Sequence, residues 1–404
     1  GAIEAGTAGQ ETLTIDSGAG NVTFTGAIGL TNALGGLNVN ATSGDGAGTI
    51  TFSNDIGDSS AGVKGTTAVG NSATAGIVFS EDTYTFDTGT TTFTAVSSGD
   101  FDLNKGAATT FTTDGTAITF AGGEIDLANG SDLVIDTGAG AGAITTGEIG
   151  GDSTETVTID AGTGTTSVGA IGTGTEIGTL NIGSAQNGGI TLNGAITTDG
   201  VITIDGPITL ATTAITITTA DDNINLQGTV DGGKALTLAS GSGAVTVDGA
   251  IGSGTALTAL TVNDAGSGTI QIPNIGTSSA AGVTGATAIG NTSTGTLTLD
   301  GTIYKTDDAQ TYVAATGGGN IDITGAATFT TSADAIAFNT SGVDLGANVT
   351  ITTGKGTNAG TVSFGGAIEA GTAGQETLTI DSGAGNVTFT GAIGLTNALG
   401  GLNV

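Results

Sequence analysis

Carboxylates are the reactive side chains this sequence holds in number, 37 Asp and Glu in 404 residues. Three pairs lie close together in sequence: Asp55 with Asp58, Asp221 with Asp222, and Asp307 with Asp308. Calcium takes about six to eight hard oxygen ligands, so these six residues are the candidates for a structural cation. The glycine-rich calcium nonapeptide of some β-helices does not recur; Gly122-Gly123-Glu124-Ile125-Asp126 touches it once. Most other Asp residues stand in turn strings such as Ile15-Asp16-Ser17-Gly18 and Ile159-Asp160-Ala161-Gly162. There the side chain ordinarily bonds its own backbone. The sequence contains no His, Cys or Arg, which excludes Ser–His–Asp and Cys–His nucleophilic sites. Paired carboxylates can cleave glycosidic bonds. An active site is a unique constellation, however, and this sequence is built of near-copies. The expectation is no catalysis and no cofactor beyond calcium.

A second candidate set is made of scarce residues. All three tyrosines (Tyr84, Tyr304, Tyr312) and two of the five lysines (Lys64, Lys305) fall in residues 57–100 and 276–320. Strand patterning is weaker in both segments, which predicts a loop or excursion. Aromatic residues are enriched at interfaces. These five residues are therefore the candidates for lateral contact with a neighbouring fibre.

Net charge is −32. Binding to phosphate backbones needs clusters of Lys and Arg, so nucleic acid is a poor partner, and an anionic membrane surface is a poor partner on the same ground. No apolar run approaches the roughly 20 residues of a membrane span. Disulfides are absent with the cysteines.

The elements that must position these residues are short. Apolar-x-apolar triplets recur between turns of Gly, Asn, Asp and Ser, as in Leu13-Thr14-Ile15, Val22-Thr23-Phe24, Ile50-Thr51-Phe52, Ile190-Thr191-Leu192, Leu236-Thr237-Leu238 and Val245-Thr246-Val247. Period two is a strand with its outer pair on one side. Leu13, Ile15, Val22, Phe24, Leu236, Leu238, Val245 and Val247 are thus expected to face inward. Sandwich domains commonly need an aromatic anchor and linkers between domains. Aromatics are only 4% here, and no linker composition interrupts the chain. A β-solenoid needs only small aliphatic residues, because each coil stacks on the next.

Repetition is exact at the ends. Residues 1–39 are identical to residues 366–404, an offset of 365. The expected organisation is one continuous solenoid over 1–404, a 365-residue repeat plus a 39-residue overlap. Inside the period a marker, TLTIDSGAGNVTFTGAIG at Thr12, returns in variant form at Thr156 and Ala235 and identically at Thr377. The anchors Leu13, Val157, Leu236 and Leu378 are spaced 144, 79 and 142 apart. This divides the chain into a long block (11–154), a short one (155–233) and a long one (234–375). GVKGTTAVGN at Gly62 matches GVTGATAIGN at Gly282 in the two long blocks. With about 20–27 residues per coil and strands about 4.8 Å apart, one period would span roughly 65–90 Å.

Triplets with Gly-rich turns, as in the run ITLNGAITTDGVITIDGPITLATTAITITTADDNINLQGTVDGGKALTLASGSGAVTVDGAIG (190–252), resemble large bacterial surface proteins of the filamentous-haemagglutinin type and giant autotransporter-like adhesins. The resemblance implies an all-β, right-handed parallel β-solenoid (β-helix), secreted and displayed at the cell surface. It also implies a structural role as fibre or adhesin stalk. The expected partners are further copies of the same repeat in the same chain and neighbouring fibres. The alternative is a surface module that recognises a glycan or host surface.

Overall fold

The structure is a computed structural model of the 404-residue chain. It describes all residues except 43–45, 59, 184–187, 264, 341 and 355–359. The chain is an all-β parallel β-solenoid of about 16 turns. No α-helix occurs among the described residues; one 3-10 turn covers Ala128–Gly130.

Two compact units are distinguished, Gly1–Gly200 with Ile204–Gly206, and Val201–Thr203 with Pro207–Val404. In the first unit the strands fall on three faces visited in turn. The first face begins with Thr12–Ile15 and Gly36–Val39, the second with Val22–Phe24 and Ile50–Phe52, the third with Thr83–Thr85 and Thr109–Thr112. In the second unit Ala235–Ala239 lies in the second-face sheet, Val245–Val247 in the third and Ile303–Lys305 in the first. All the strand pairs described here are parallel. Coil length varies: Ile215 pairs with Leu236, 21 residues on, whereas Leu37 pairs with Thr67, 30 residues on. The longest coil exceeds the expected 27, because the turns absorb the extra residues while the strand register holds.

The triplets set the inside of the coil. Leu236, Leu238, Val245 and Val247 are all buried, and so are Val22 and Phe24. Each coil leaves a column of like residues that stacks on the next, as Phe24 stacks on Phe52 with ring centroids 5.0 Å apart. Burying a large aliphatic or aromatic side chain contributes about 1.5–3 kcal/mol, so the narrow core is stabilised by repetition of small contributions.

Corners are fixed by glycine and asparagine. Gly29 has φ 68° and approaches the carbonyl of Gly62 so closely that a Cβ would stand 2.1 Å from it. Gly252 repeats this at φ 65° against Gly282, with a Cβ distance of 1.9 Å. Asn40 and Asn263 hold φ 48° and 50°. Each accepts a backbone N–H from the coil before, Ser17 at 2.8 Å and Ser240 at 3.2 Å. The last residue of the matched decapeptides then reaches back. Asn71 donates its amide to the Asn40 carbonyl at 2.6 Å, and Asn291 donates to Asn263 at 2.6 Å. The shared motif is therefore a staple between neighbouring coils.

The two identical segments fold alike. Thr12 pairs with Gly36, Leu13 with Leu37 and Thr14 with Asn38; Thr377 pairs with Gly401, Leu378 with Leu402 and Thr379 with Asn403. Glu4 accepts the N–H groups of Thr31 and Asn32 at 3.1 and 2.7 Å, and Glu369 accepts those of Thr396 and Asn397 at 3.1 and 2.8 Å. Each copy of the marker strand makes the same parallel pairing, in the same register, inside its own unit. The variant markers do not share the first face. Thr156–Asp160 lies on the third and Ala235–Ala239 on the second.

Candidate functional site

The sequence candidates for a cation are brought together only in part. Asp55 lies at the end of one coil and meets Glu81 and Asp82 of the next, not Asp58. One oxygen from each of the three lies within 4.8 Å of the others, the one such group of three among the described residues. Asp55 accepts the Thr83 N–H at 3.2 Å, and Asp82 accepts the Thr83 hydroxyl at 3.2 Å. Burial raises the Asp55 carboxyl above its usual range; the Thr83 N–H opposes this, and the charges of Asp82 and Glu81 add to it. Lys105 donates to Glu81 and supplies the positive charge beside the group. Three carboxylate side chains fall short of the six to eight oxygens a calcium ion takes, so backbone or water oxygens would have to complete a shell.

The other candidates are turn residues. Asp58 accepts the Ser60 N–H at 3.3 Å. Asp221 accepts the Ser242 N–H from the next coil at 2.8 Å, which lowers its carboxyl below the usual range. Asp222 supplies a backbone carbonyl to the Thr219 hydroxyl. Asp308 accepts from Ala309 at 2.7 Å, and Asp307 from the Ser332 hydroxyl at 3.3 Å. No third acidic side chain joins Asp221 and Asp222, or Asp307 and Asp308, among the described residues.

Sequence reasoning missed the acidic ladders. On the second face Glu124 lies opposite Asp100 and Asp126 opposite Asp102. Glu148 follows Glu124 one coil on, since Ile125 pairs with Ile149. Burial raises Asp102, then the charges of Asp100 and Asp126. Burial likewise raises Glu124, ahead of Glu148 and Asp100, and raises Asp126, ahead of Asp100. The second long block repeats the device on the third face, where Asp322, Asp344 and Glu369 stand in register. Asp322 is raised by burial and then by Asp344. The signal was present as Asp-x-Asp and Glu-x-Asp at a spacing of 24, which becomes a column only once the coil length is known.

The tyrosines are corrected by the structure. Tyr84, Tyr304 and Tyr312 are fully buried and offer nothing to a neighbouring fibre. Residues 57–100 and 276–320 are ordinary coils, not excursions. Their strands read weakly because threonine takes inward positions at Thr67, Thr91 and Thr287, and because Thr83-Tyr84-Thr85 carries its apolar residue in the middle. Tyr304 receives the Gly301 N–H at 2.8 Å and donates to the Ile272 carbonyl at 3.1 Å. Tyr84 receives the Glu81 N–H at 3.2 Å. Tyr312 donates to the buried Gln310 at 3.1 Å. Burial keeps all three hydroxyls protonated far above the usual tyrosine range. Lys64 remains exposed, and Lys305 lies half-buried with its ammonium 3.3 Å from the Ser278 carbonyl.

Fourteen of the fifteen aromatic residues are buried; the other, Phe389, is half-exposed although its identical counterpart Phe24 is covered. No helix of the described residues is long and apolar enough to cross a membrane. Comparison with known proteins identifies no relative: no family model, curated protein or solved structure matches the chain.

Proposed function

We propose that the chain is a non-catalytic structural segment of an extracellular or cell-surface fibre, in which tandem copies of the 365-residue repeat extend one right-handed solenoid. The observation that carries this is that the identical segments, 365 residues apart, make the same parallel pairing in the same register. A period with a whole number of coils can be joined to another without a change of phase, which a neighbour-only fold requires of a long array. The acidic surface supports it as well, since like charge keeps long fibres from sticking sideways. So does the compositional resemblance to filamentous-haemagglutinin-type proteins. Recognition of a glycan has less support, because the aromatic rings that would stack on sugars are occupied in the core. Immunogold labelling of intact producing cells with an antibody to this chain tests the assignment. Label on external filaments is expected. Label confined to the cell interior rejects it.

A further inference from the structure

The second long block builds a groove that the fibre role does not use. Residues 276–282 form a tight loop at one corner of a coil. Gly276 holds φ 78°, and its N–H bonds the Ile251 carbonyl at 2.8 Å. Gly282 closes the loop with its N–H on the Lys305 carbonyl at 2.8 Å. A Cβ on Gly282 would stand 2.2 Å from the Gly276 nitrogen, so the pinch requires glycine. Beside the loop run the strands Ile303–Lys305 and Thr328–Thr330, whose middle residues Tyr304 and Phe329 are buried. Ile303, Lys305, Thr328 and Thr330 therefore point outward. With Thr277 and Ser278 they line a groove of about 310 Å³.

The charge of this groove is unlike that of the chain. No carboxylate lines it, although the chain has 37 acidic residues and five basic ones. The Lys305 ammonium bonds the Ser278 carbonyl at 3.3 Å. An ammonium has three donors, and the one ion pair among the described residues belongs to Lys105. Lys305 thus keeps donors for an anion. The first long block has a matching groove of about 380 Å³, but there Thr85 takes the place of Lys305, and Asp87 and Asp114 stand in the wall. The two sites correspond, because Tyr84 bridges to Ile56 as Tyr304 bridges to Ile275. Asp307, the counterpart of Asp87, accepts the Ser332 hydroxyl at 3.3 Å and does not line the second groove. The fold builds the groove twice, and only the second copy presents a cation without an acid.

We propose that the groove beside Lys305 binds a single sugar acid of the uronic-acid class. Lys305 pairs with the carboxylate in a charge-assisted bond. The Thr328 and Thr330 hydroxyls meet the ring hydroxyls, and Ile303 lies against the apolar face of the ring. The volume sits at the lower end of small-molecule sites, about 300–1,000 Å³, which suits one ring. A monoanion fits better than a phosphate, since one lysine in a chain of net charge −32 cannot offset a second negative charge. No aromatic ring lines the groove, so the site is weak and reads the carboxylate first. The site stands whether or not the chain builds a fibre.

The test is a methyl NMR titration of the full chain with D-glucuronate, D-glucose and acetate at constant ionic strength, read at Ile303. Glucuronate is expected to shift the Ile303 methyl signals saturably, with a Kd of about 1–10 mM. Glucose lacks the carboxylate and acetate lacks the hydroxyls, so each should bind at least about tenfold more weakly. Lys305→Gln, an outward position whose change leaves the core intact, should weaken glucuronate at least about tenfold. Lys64→Gln, at an exposed position in the first long block, should leave it unchanged. No saturable shift at Ile303 up to about 50 mM glucuronate overturns the proposal. So does acetate or glucose that binds as well as glucuronate, or a Lys305→Gln chain that binds glucuronate undiminished.

Discussion

Gln310 is a fully buried amide with every near neighbour specified. Its two amide hydrogens are shared among three acceptors, the Tyr304 carbonyl at 3.0 Å, the Thr306 hydroxyl at 3.1 Å and the Thr330 carbonyl at 3.0 Å, while its oxygen accepts from Tyr312. Gln310→Leu keeps the volume close and removes every one of these contacts. The Thr330 carbonyl retains the Thr306 N–H at 3.0 Å, but the Tyr312 hydroxyl is left buried without its acceptor. An orphaned buried group costs about 1–3 kcal/mol. With the Tyr304 carbonyl losing a donor too, Gln310→Leu is expected to lower local stability by about 2–5 kcal/mol. Adding Tyr312→Phe removes the orphan hydroxyl and should restore about 1–3 kcal/mol of that loss. At the equivalent positions the first long block has Thr91 and Phe93, so it carries no tyrosine hydroxyl there. Opening free energies from hydrogen exchange at Gln310–Val313 and Ile336–Asn339 are the assay, because a solenoid opens locally. A Gln310→Leu cost below about 0.5 kcal/mol, or no recovery on adding Tyr312→Phe, would refute the claim that this network is fully desolvated.

The hydroxyls of Thr67, Thr91, Thr146 and Thr287 are buried without a hydrogen-bond partner. Thr67→Val and Thr91→Val should each stabilise by about 1–2 kcal/mol, read as a higher urea midpoint; a fall would show that the hydroxyls are bonded in solution. The second-face acidic ladder makes stability depend on pH. Asp102, Glu124 and Asp126 are raised by burial and neighbouring charge, so the folded chain binds their protons more readily than the unfolded one. Their contribution therefore improves as pH falls through the raised values toward the ordinary Asp value of 3.8. Asp102→Asn with Asp126→Asn should raise the melting temperature at pH 7 by about 1–3 °C and flatten its rise on acidification, by calorimetry. An unchanged slope between pH 7 and 4 would place the repulsion elsewhere.

How much was legible follows from what each signal encodes. Triplets such as Leu236-Thr237-Leu238 specify strand and inward face together, since alternation leaves one answer, and those residues are buried as expected. Leu13 and Ile15 were also read as inward. They are half-exposed because Thr12–Ile15 pairs on one side only, whereas the identical Leu378 and Ile380 are covered on both. The tyrosines were misread because rarity says nothing about exposure. A coil interior that is mostly aliphatic can still stack Tyr304 on Phe329 at 4.7 Å when the hydroxyl reaches a backbone partner. The carboxylate grouping of Asp55 with Glu81 and Asp82 was invisible because coil length, not sequence proximity, decides which residues meet. The shift of the marker from face to face was hidden for the same reason, since coils of varying length do not announce their phase.

The central claim is that the 365-residue period closes on a whole number of coils and so extends without a joint. Electron microscopy of chains carrying one, two and three periods in tandem measures this directly. Straight particles that lengthen by one constant increment per period, about 65–90 Å from the strand spacing, are the predicted result. Beads separated by flexible gaps, or increments that differ between the second and third period, would contradict it.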